Sequence, residues 1–419
     1  MSGPLCQLAA TGAQSNVLTG PNEFTPFKTQ VRRMTAFAME PKVILFNGQT
    51  AFGKTAVASI SRQADLLHEV YLVVELSGLK KTTSVDGSAV EDRKLVQDLG
   101  RQMIEYVTLE AGSVVYETVH PDWMHMWEKI TKNQDEISEH LTGHDVANDY
   151  GLQASTGDIP ARRFYVPLKF FFSRTFGHSL PIVACHLTDI QIKVKLKRKE
   201  DLIHSVSGAS TPTGELAIEQ MFLLGEYVYL SDKERREVAS NPHVFLIEQI
   251  QRDSFTIPKG SKSYKAELQF NHPCKSFYWY GVTGENVKNK KALTFSGDEK
   301  ASTGKYSRDG DLFETASISL NNNVRVQPLG PKYYGVIQPM RHHSSINFDA
   351  GIYMYSFALY PEAVQPSGHL NCSRIEKMHL NLTFGTEIQS NEGTELVIFA
   401  QNYNIVRIKG GVTSLAWAS

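Results

Sequence analysis

The sequence predicts an all-β protein built from two similar halves, and three observations support this. Apolar runs of strand length alternate with turn residues along most of the chain. The 419 residues include 21 Phe and 17 Tyr, and aromatic residues favour half-buried strands. Two stretches, 163–196 and 351–384, share one order of apolar run, turn and apolar run at a spacing of about 190 residues, which indicates an internal duplication.

The second of these stretches has the clearer pattern. Ile352–Leu359 predicts a strand, Pro361–Gly368 a loop and Ser373–Phe384 a second strand. The first stretch predicts the same order in three segments, namely Arg163–Phe172, Gly177–Pro181 and Ile182–Leu196. The motif KLKRK, residues 195–199, overlaps the end of the last of these segments. It is compatible with a nuclear address, but alternation of lysines with apolar residues favours a solvated strand face or a lysine-protected edge.

The rest of the first half follows strand patterns with one helical interruption. Thr35–Leu76 predicts hairpin-linked strands, and Met103–Leu109 and Ser113–Val119 predict a strand pair. Asp122–Glu139 has apolar residues at helical spacing and predicts a helical insertion. Polar composition predicts loops at 77–91, 205–214 and 284–310.

A short helix separates the halves. Ser231 and Glu234 form a capping-box pattern that predicts a helix over Asp232–Ser240, ended by Pro242. A predicted strand, Met221–Leu230, precedes this helix. After the helix the strand pattern begins again, with predicted strands at Val244–Ile250, Ala266–Phe270, Lys275–Val282, Ser317–Leu320, Val324–Val326 and Leu396–Ile408. Residues 1–25 have no periodic pattern and predict an N-terminal arm or, alternatively, a frayed terminus. Gly410 and Gly411 predict a flexible pair.

One segment matches a nucleotide-binding motif. Gly48–Thr55 fits the phosphate-binding pattern G-x-x-x-x-G-K-[ST], which would place Lys54 on phosphate oxygens and Thr55 on magnesium. Against this, Val57 and the residues after it alternate as in a strand, and only Glu75 follows as a candidate magnesium ligand. We therefore expect a Gly-containing hairpin here, with a P-loop nucleotide-binding enzyme as an alternative function.

Other candidate chemistry is sparse. His120 and His125 have no partners at metal-ligand spacing, and His342 and His343 are expected on the surface. The four cysteines, Cys6, Cys185, Cys274 and Cys372, show neither zinc-site nor disulfide-framework spacing, which favours a reducing compartment. We therefore predict no catalytic, cofactor-binding or metal-binding residues, and no cofactor.

Charge and hydropathy exclude further classes. Lys plus Arg number 43 and Asp plus Glu 44, so no excess positive charge is available to neutralise the phosphates of a nucleic acid. No apolar run is long enough to span a bilayer, and the first 20 residues lack the pattern of a signal peptide. Direct nucleic-acid binding and a transmembrane segment are therefore not expected.

The chain also resembles the double jelly-roll major capsid proteins of nucleocytoplasmic large DNA viruses, such as phycodnaviruses and iridoviruses. Five signatures carry the resemblance, in the order of that family. The first consists of Gln7–Gln14, Leu18–Gly20, Phe24, Phe27, Lys28, Arg32 and Arg33, and the second of RFYVPL and FFF from Arg163. The others are YVYLSDKERREVA followed by NPH and FLIEQ, then Phe270–Pro273, and finally Tyr355–Leu359, Gln365–Gly368, Asn371 and Ser373–Ile375. Cys185, His186 and Leu187 depart from the family pattern, which puts only local packing in doubt.

The resemblance implies an architecture. It is that of two consecutive eight-stranded antiparallel jelly rolls with short helical insertions: an arm at 1–25, a first roll at 26–231, a helical linker at 232–242 and a second roll at 243–419.

The resemblance also implies a function. The chain would be a structural protein, not an enzyme, that forms homotrimeric, pseudo-hexagonal capsomers tiling an icosahedral virion shell. Its implied partners are neighbouring capsomers, minor capsid proteins and penton proteins, with an internal membrane possible beneath the shell and synthesis in the host cytoplasm. A carbohydrate-binding β-sandwich protein is a second alternative, because jelly rolls also bind sugars.

Overall fold

The computed structural model of the chain describes residues 2–15, 18, 25, 27–29, 31–78, 93–131, 141–143, 161–205, 216–284, 295, 311–345, 351–385 and 393–417. Residues 1–36 and 37–419 form two separate units. The first unit contains helix α1, Gly3–Ala9, whose residues are all exposed. Sequence periodicity does not predict this helix. The predicted loops at 77–91, 205–214 and 284–310 lie mostly outside the described residues.

The first half of the second unit is an eight-stranded jelly roll with a small extra strand pair. Its strands are β1 (Phe37–Leu45), β2 (Thr55–Ser59), β3 (Leu66–Leu76), β4 (Arg93–Leu95), β5 (Ile104–Ala111), β6 (Val114–Val119), β7 (Arg162–Leu168), β8 (Ile190–Leu196), β9 (Ile203–Ser205) and β10 (Ile218–Leu230). Sheet 1 has the order β1-β10-β3-β7 and sheet 2 the order β2-β8-β5-β6. All pairs are antiparallel, and β4 pairs with β9 apart from both sheets.

The second half repeats this arrangement. Its strands are β11 (His243–Ile257), β12 (Ser263–Leu268), β13 (Pro273–Thr283), β14 (Thr315–Leu320), β15 (Asn323–Leu329), β16 (Tyr353–Ser356), β17 (Leu370–Asn371), β18 (Met378–Thr383), β19 (Thr394–Lys409) and β20 (Val412–Leu415). Sheet 3 has the order β11-β19-β13-β16, extended by β17 and β20, and sheet 4 the order β12-β18-β14-β15.

The two halves therefore share one topology. Counting the eight principal strands of each half, one sheet has the order first, eighth, third, sixth and the other second, seventh, fourth, fifth. This is the strand order of a jelly roll, in which distant strands pair across two packed sheets. The predicted fold class and the predicted duplication are both confirmed.

Within the described residues, α-helices with assigned bounds also occur in and between the rolls. They are α2 (Leu99–Gln102), α3 (Pro121–Thr131), α4 (Asp232–Ser240) and α5 (Gln338–His342), the last preceded by a π-turn at Tyr333–Ile337. The predicted insertion helix begins at 121, and its predicted end at 132–139 lies outside the described residues. The helix predicted at Asp232–Ser240 is confirmed as α4, but the predicted capping box is wrong, because the Ser231 side chain makes no cap hydrogen bond. No described helix is long and apolar enough to cross a membrane.

Some predicted strands are too long. The run predicted as Arg163–Phe172 leaves the sheet at Leu168 and turns through a 3₁₀ segment at Phe171–Ser173, and the run beginning at Ile182 becomes a strand only at Ile190. Phe171 and Ile182 are nevertheless buried in the first core. Apolar residues in these corners fill the space at the ends of the sheets, so an apolar run here does not require strand geometry.

Strand β8 shows on which face of its sheet the lysines of the lysine-rich motif lie. Ile190, Ile192, Val194 and Leu196 are buried while the intervening residues are partly exposed, as alternation predicts. The strand pairs with β2 on one side and β5 on the other. The lysines therefore lie on the outward face of an interior strand, and the protected-edge interpretation is wrong.

Candidate functional site at the seam between the two jelly rolls

The seam is the surface at which sheet 3 packs against the first jelly roll. On β13, Phe277 and Trp279 belong to the core of the second roll, whereas Tyr278 and Tyr280 pack with residues of the first roll. Nine consecutive residues, 274–282, are buried as a result. A sheet that is buried on both faces needs a partner on each face, and the first roll is the partner on the outer one.

Helix α3 supplies the aromatic part of the seam. The Trp123 ring lies 5.2 Å from that of Tyr278, edge to face, and 5.5 Å from that of Phe399 on β19. Trp127 stacks on Trp123 at 5.4 Å, and the Tyr280 hydroxyl donates to Asp122 at 2.9 Å. Aromatic pairs contribute about 0.5–1.5 kcal/mol each beyond their burial, so α3 is a substantial anchor between the rolls.

A buried ionic cluster fixes α3 to the rest of the first roll. Arg101 of α2 pairs with Asp98 at 3.0 Å and with Glu128 of α3, and His125 of α3 lies 3.3 Å from the same Asp98 carboxylate. Burial by itself would raise the pKa of Asp98, but Arg101 and His125 outweigh it and hold that pKa well below its usual range. His125 is thus a packed residue. Within the described part of the chain, no group of three or more His, Cys, Asp or Glu residues could hold a metal ion.

A second charged network crosses the seam, centred on Glu248 of β11. Arg174 of the first roll pairs with Glu248, the Lys275 ammonium lies 2.5 Å from it, and Gln401 donates to it at 2.7 Å. The Lys275 side chain is fully buried and also donates to the Pro361 carbonyl. Burial lowers the pKa of Lys275 to about 8. Removing one partner would leave the other charges buried without compensation.

His343 joins the same region, so its predicted surface position is wrong. Its side chain is completely buried, with one ring nitrogen 2.8 Å from Glu362 and the other 3.1 Å from the Tyr278 hydroxyl. Burial lowers the pKa of His343, and the neighbouring Glu362 only partly opposes this. Because α5 ends at His342, the next residue can turn inward, which the sequence pair does not reveal.

Glu117 of β6 is a buried carboxyl group beside this network. It accepts a hydrogen bond from the Phe171 backbone N–H at 2.9 Å. Burial nevertheless raises its pKa to about 8. Glu117 is therefore mostly protonated at neutral pH, which avoids placing another negative charge near Glu248.

The last hairpin of the chain closes the seam. Gln249 of β11 donates to the Tyr116 carbonyl of the first roll, and the Leu187 backbone N–H donates to the Gly411 carbonyl at 2.9 Å. Gly410 and Gly411, expected to be a flexible pair, form the turn between β19 and β20 with φ of 60° and 85°. These are left-handed conformations that glycine adopts readily, so the pair is a defined turn.

The P-loop motif at Gly48–Thr55 lies away from this network in the connection from β1 to β2. Thr55 begins a strand, where a phosphate-binding loop would be followed by a helix. The Lys54 ammonium donates to Gln49 at 2.7 Å, and the Gly53 N–H donates to the Lys197 carbonyl at 3.0 Å. Asn47 and Val57 form an isolated bridge across this Gly-containing connection. The predicted hairpin is nevertheless wrong, because β1 and β2 belong to different sheets and the connection crosses from one sheet to the other.

A cleft of about 790 Å³ opens beside the seam. It is lined by residues of both rolls, including His120 and Tyr280. Its described lining includes four basic residues, Lys195, Lys197, Arg198 and Arg252, and four acidic residues, Glu105, Asp122, Asp201 and Glu395. The charges balance, so the cleft does not favour a ligand of either sign.

The seam can therefore hold two rigid blocks at a fixed relative position, and sequence reasoning missed the residues that do so. A signal was present: Glu248 directly follows the apolar run Val244–Ile247, and Lys275 stands two residues before the aromatic run Phe277–Tyr280. A buried charge needs a partner, but neither residue identifies its partner by spacing. The structure also brings together Cys274 and Cys372, whose hydrogen bond raises the pKa of the Cys274 thiol.

Two protein-family models match this chain. One, described as "Major capsid protein N-terminus", covers residues 25–231, and the other, described as "Large eukaryotic DNA virus major capsid protein", covers residues 234–414. The major capsid protein of Pyramimonas orientalis virus is 32% identical over 446 residues, and that of Paramecium bursaria Chlorella virus 1 is 30% identical over 462 residues. Both alignments cover 100% of each chain.

Solved structures of viral capsid proteins also match this chain. PBCV-1 VP54, as fitted into a reconstruction of the virophage Sputnik, matches with a TM-score of 0.79 and 27% identity over 94% of this chain and 100% of that one. The Faustovirus major capsid protein matches with a TM-score of 0.76 over 93% of both chains, at 12% identity, which supports the fold alone. Neither a P-loop enzyme nor a carbohydrate-binding protein is supported by these matches.

Proposed function

This chain belongs to the major capsid proteins of large eukaryotic DNA viruses, and from that premise we propose that three copies close into a capsomer of approximately sixfold outline. As a major capsid protein it is a structural component of the virion. The trimer, the tiling of capsomers and the contacts with other shell proteins are our proposal.

The observation that carries the trimer is the repeated topology. Each chain contributes two blocks with the same strand order, so three chains contribute six similar blocks. A heterologous contact that repeats with a fixed rotation gives a closed ring when the rotation closes after a whole number of copies. A rigid seam makes that rotation constant, and the buried ion pairs of Glu248 together with the α3 aromatic contacts supply the rigidity.

The remaining parts of the proposal follow from the same role. We take 1–25 as an arm, 26–231 and 243–419 as the two rolls and 232–242 as their linker. The capsomer would contact neighbouring capsomers, minor capsid proteins and penton proteins, above an internal membrane, after synthesis in the host cytoplasm. A balanced charge of 43 basic against 44 acidic residues supports a shell role without direct contact to the genome. We propose no enzymatic activity.

The test is the mass and outline of the purified protein. Multi-angle light scattering at 1–50 µM should give three times the chain mass of 46.9 kDa, and negative-stain electron microscopy should show hexagonal particles. A monomer mass across that range of concentration would contradict the proposal.

A further inference from the structure

We propose that Lys275 and Gln401 react to form an amide crosslink within the chain, with Glu248 as the proton carrier and ammonia as the second product. The three side chains come from β13, β19 and β11, which are consecutive strands of sheet 3. Lys275 and Gln401 are both completely buried. The crosslink is a property of the single chain, so it goes beyond the proposed function and does not depend on the trimer.

Glu248 brings the amine of Lys275 and the amide of Gln401 together. The Lys275 ammonium lies 2.5 Å from Oε2 of Glu248, and the Gln401 amide nitrogen donates to the same oxygen at 2.7 Å. Two nitrogens at these distances from one oxygen lie within about 5 Å of each other. Holding an amine and an amide at such proximity replaces a reaction between separate molecules by a step within one molecule.

Lys275 has the environment of an activated amine. Its ammonium must lose a proton before the nitrogen can attack, and a desolvated lysine beside a base loses that proton readily. Burial lowers the pKa of Lys275 to about 8, and the charge of Glu248 only partly opposes this. Arg174 pairs with the same carboxylate and orients it. A nucleophile, an adjacent base and a third group that orients the base are the arrangement typical of covalent catalysis.

Two hydroxyl groups face the oxygen of the Gln401 side-chain amide. The Ser276 hydroxyl lies 3.3 Å and the Tyr278 hydroxyl 3.5 Å from Oε1 of Gln401. Both residues are buried, and their hydroxyl groups are hydrogen bonded to each other at 3.0 Å. Hydrogen bonds that are long in the ground state tighten as negative charge develops on the acceptor. The pair can therefore stabilise the oxyanion that forms when an amine attacks this carbonyl group.

The reaction balances without an oxidant or a cofactor. Glu248 accepts a proton from the Lys275 ammonium, and the resulting amine attacks Cδ of Gln401. Glu248 then donates this proton to the amide nitrogen of Gln401 as the bond from that nitrogen to Cδ breaks. The attacking nitrogen loses one further proton, which leaves with the ammonia as ammonium. One Nζ–Cδ bond forms, one Cδ–Nε2 bond breaks, and the positive charge of Lys275 departs.

The surroundings favour the crosslink over hydrolysis of the Gln401 amide. Burial of the reacting groups excludes the water that would compete with the amine. A cavity of about 10 Å³ lined by Arg174, Glu248 and Tyr403 adjoins the carboxylate, and a cavity of this size has room for about one small molecule such as ammonia. The product would join β13 to β19 beside the seam, so these strands would stay connected even when their hydrogen bonds open.

Mass spectrometry of the full-length wild type, kept for one week at pH 8 and then denatured, tests the proposal. Its mass should be about 17 Da below that of the sequence, because amide formation releases one ammonia. Trypsin should release residues 266–288 joined to residues 378–407, because trypsin does not cleave after a crosslinked Lys275. The full sequence mass, together with separate unmodified peptides that contain Lys275 and Gln401, would overturn the proposal.

Variants distinguish this crosslink from other losses of ammonia, such as ring closure at Asn47-Gly48. Lys275→Met has no amine, so the mass loss should disappear. Lys265→Met is the matched control, since Lys265 is exposed on β12, and it should keep both the mass loss and the joined peptides. Glu248→Gln should slow crosslinking at least about tenfold, because it removes the proton carrier.

A mass loss that persists in Lys275→Met would place the reaction elsewhere and contradict the proposal. An unchanged rate in Glu248→Gln would exclude Glu248 as the proton carrier. Circular dichroism should show that each variant is folded. Where a variant does not fold, the joined peptides of the wild type decide the question by themselves.

Discussion

Glu117 makes the stability of the seam depend on pH in a way that can be calculated. Its pKa rises from an ordinary 4.5 to about 8 in the folded protein. Between these values the folded state binds a proton that the unfolded state has released, so stability falls as pH rises. One proton gives a slope of up to about 1.4 kcal/mol per pH unit, or roughly 2.7 kcal/mol between pH 5 and pH 7.

Glu117→Gln removes this titration but retains an oxygen that can accept from the Phe171 N–H. We therefore expect the free energy of unfolding of the variant, relative to wild type, to increase by roughly 2–3 kcal/mol from pH 5 to pH 7. Urea denaturation followed by tryptophan fluorescence at pH 5, 6, 7 and 8 measures it, since Trp123 and Trp127 lie in the seam.

The matched control is Glu219→Gln, which removes a carboxylate that is exposed on β10. Its relative stability should change little with pH. If Glu117→Gln and wild type show parallel pH profiles, Glu117 is ionised in the folded state and the reasoning from burial is refuted.

Three further outcomes are expected. Trp123→Ala should destabilise the protein by about 3–5 kcal/mol, because it removes buried contacts with Phe399 across the seam; a loss below 1 kcal/mol by urea denaturation would mean that α3 is not an anchor. Lys54→Ala should leave the melting temperature nearly unchanged, because the Lys54 ammonium contacts only the exposed Gln49 side chain among the described hydrogen bonds. Calorimetric titration of the wild type with Mg-ATP should show no binding. Micromolar affinity that is lost in the variant would restore the nucleotide hypothesis. Deleting residues 1–20 should leave the melting temperature of both rolls largely unchanged, because the residues of α1 are exposed. The deletion should nevertheless impair the assembly of capsomers into shells, as observed by electron microscopy. A truncated protein that fails to fold would place the arm in a core.

Local pattern was sufficient for the strands and for the duplication. Alternation of apolar and polar residues has the same period of two as the side chains of a strand, so the buried and exposed faces of β8 and the strand character of β2 could be predicted. The helical spacing of Trp123 and Trp127 likewise predicted α3. The family resemblance supplied the jelly-roll topology, which alternation by itself does not specify.

Only the tertiary structure decided which apolar and charged residues meet across the seam. Lys275 and Glu248 are 27 positions apart, while Arg174 is a further 74 positions from Glu248. No periodic pattern relates such positions, because their distance depends on how two complete sheets pack. For the same reason, the sequence neighbours of His343 predicted a surface position although its side chain is buried. Tyr278, which contacts His343, lies on β13, and sequence spacing does not connect this strand to His343.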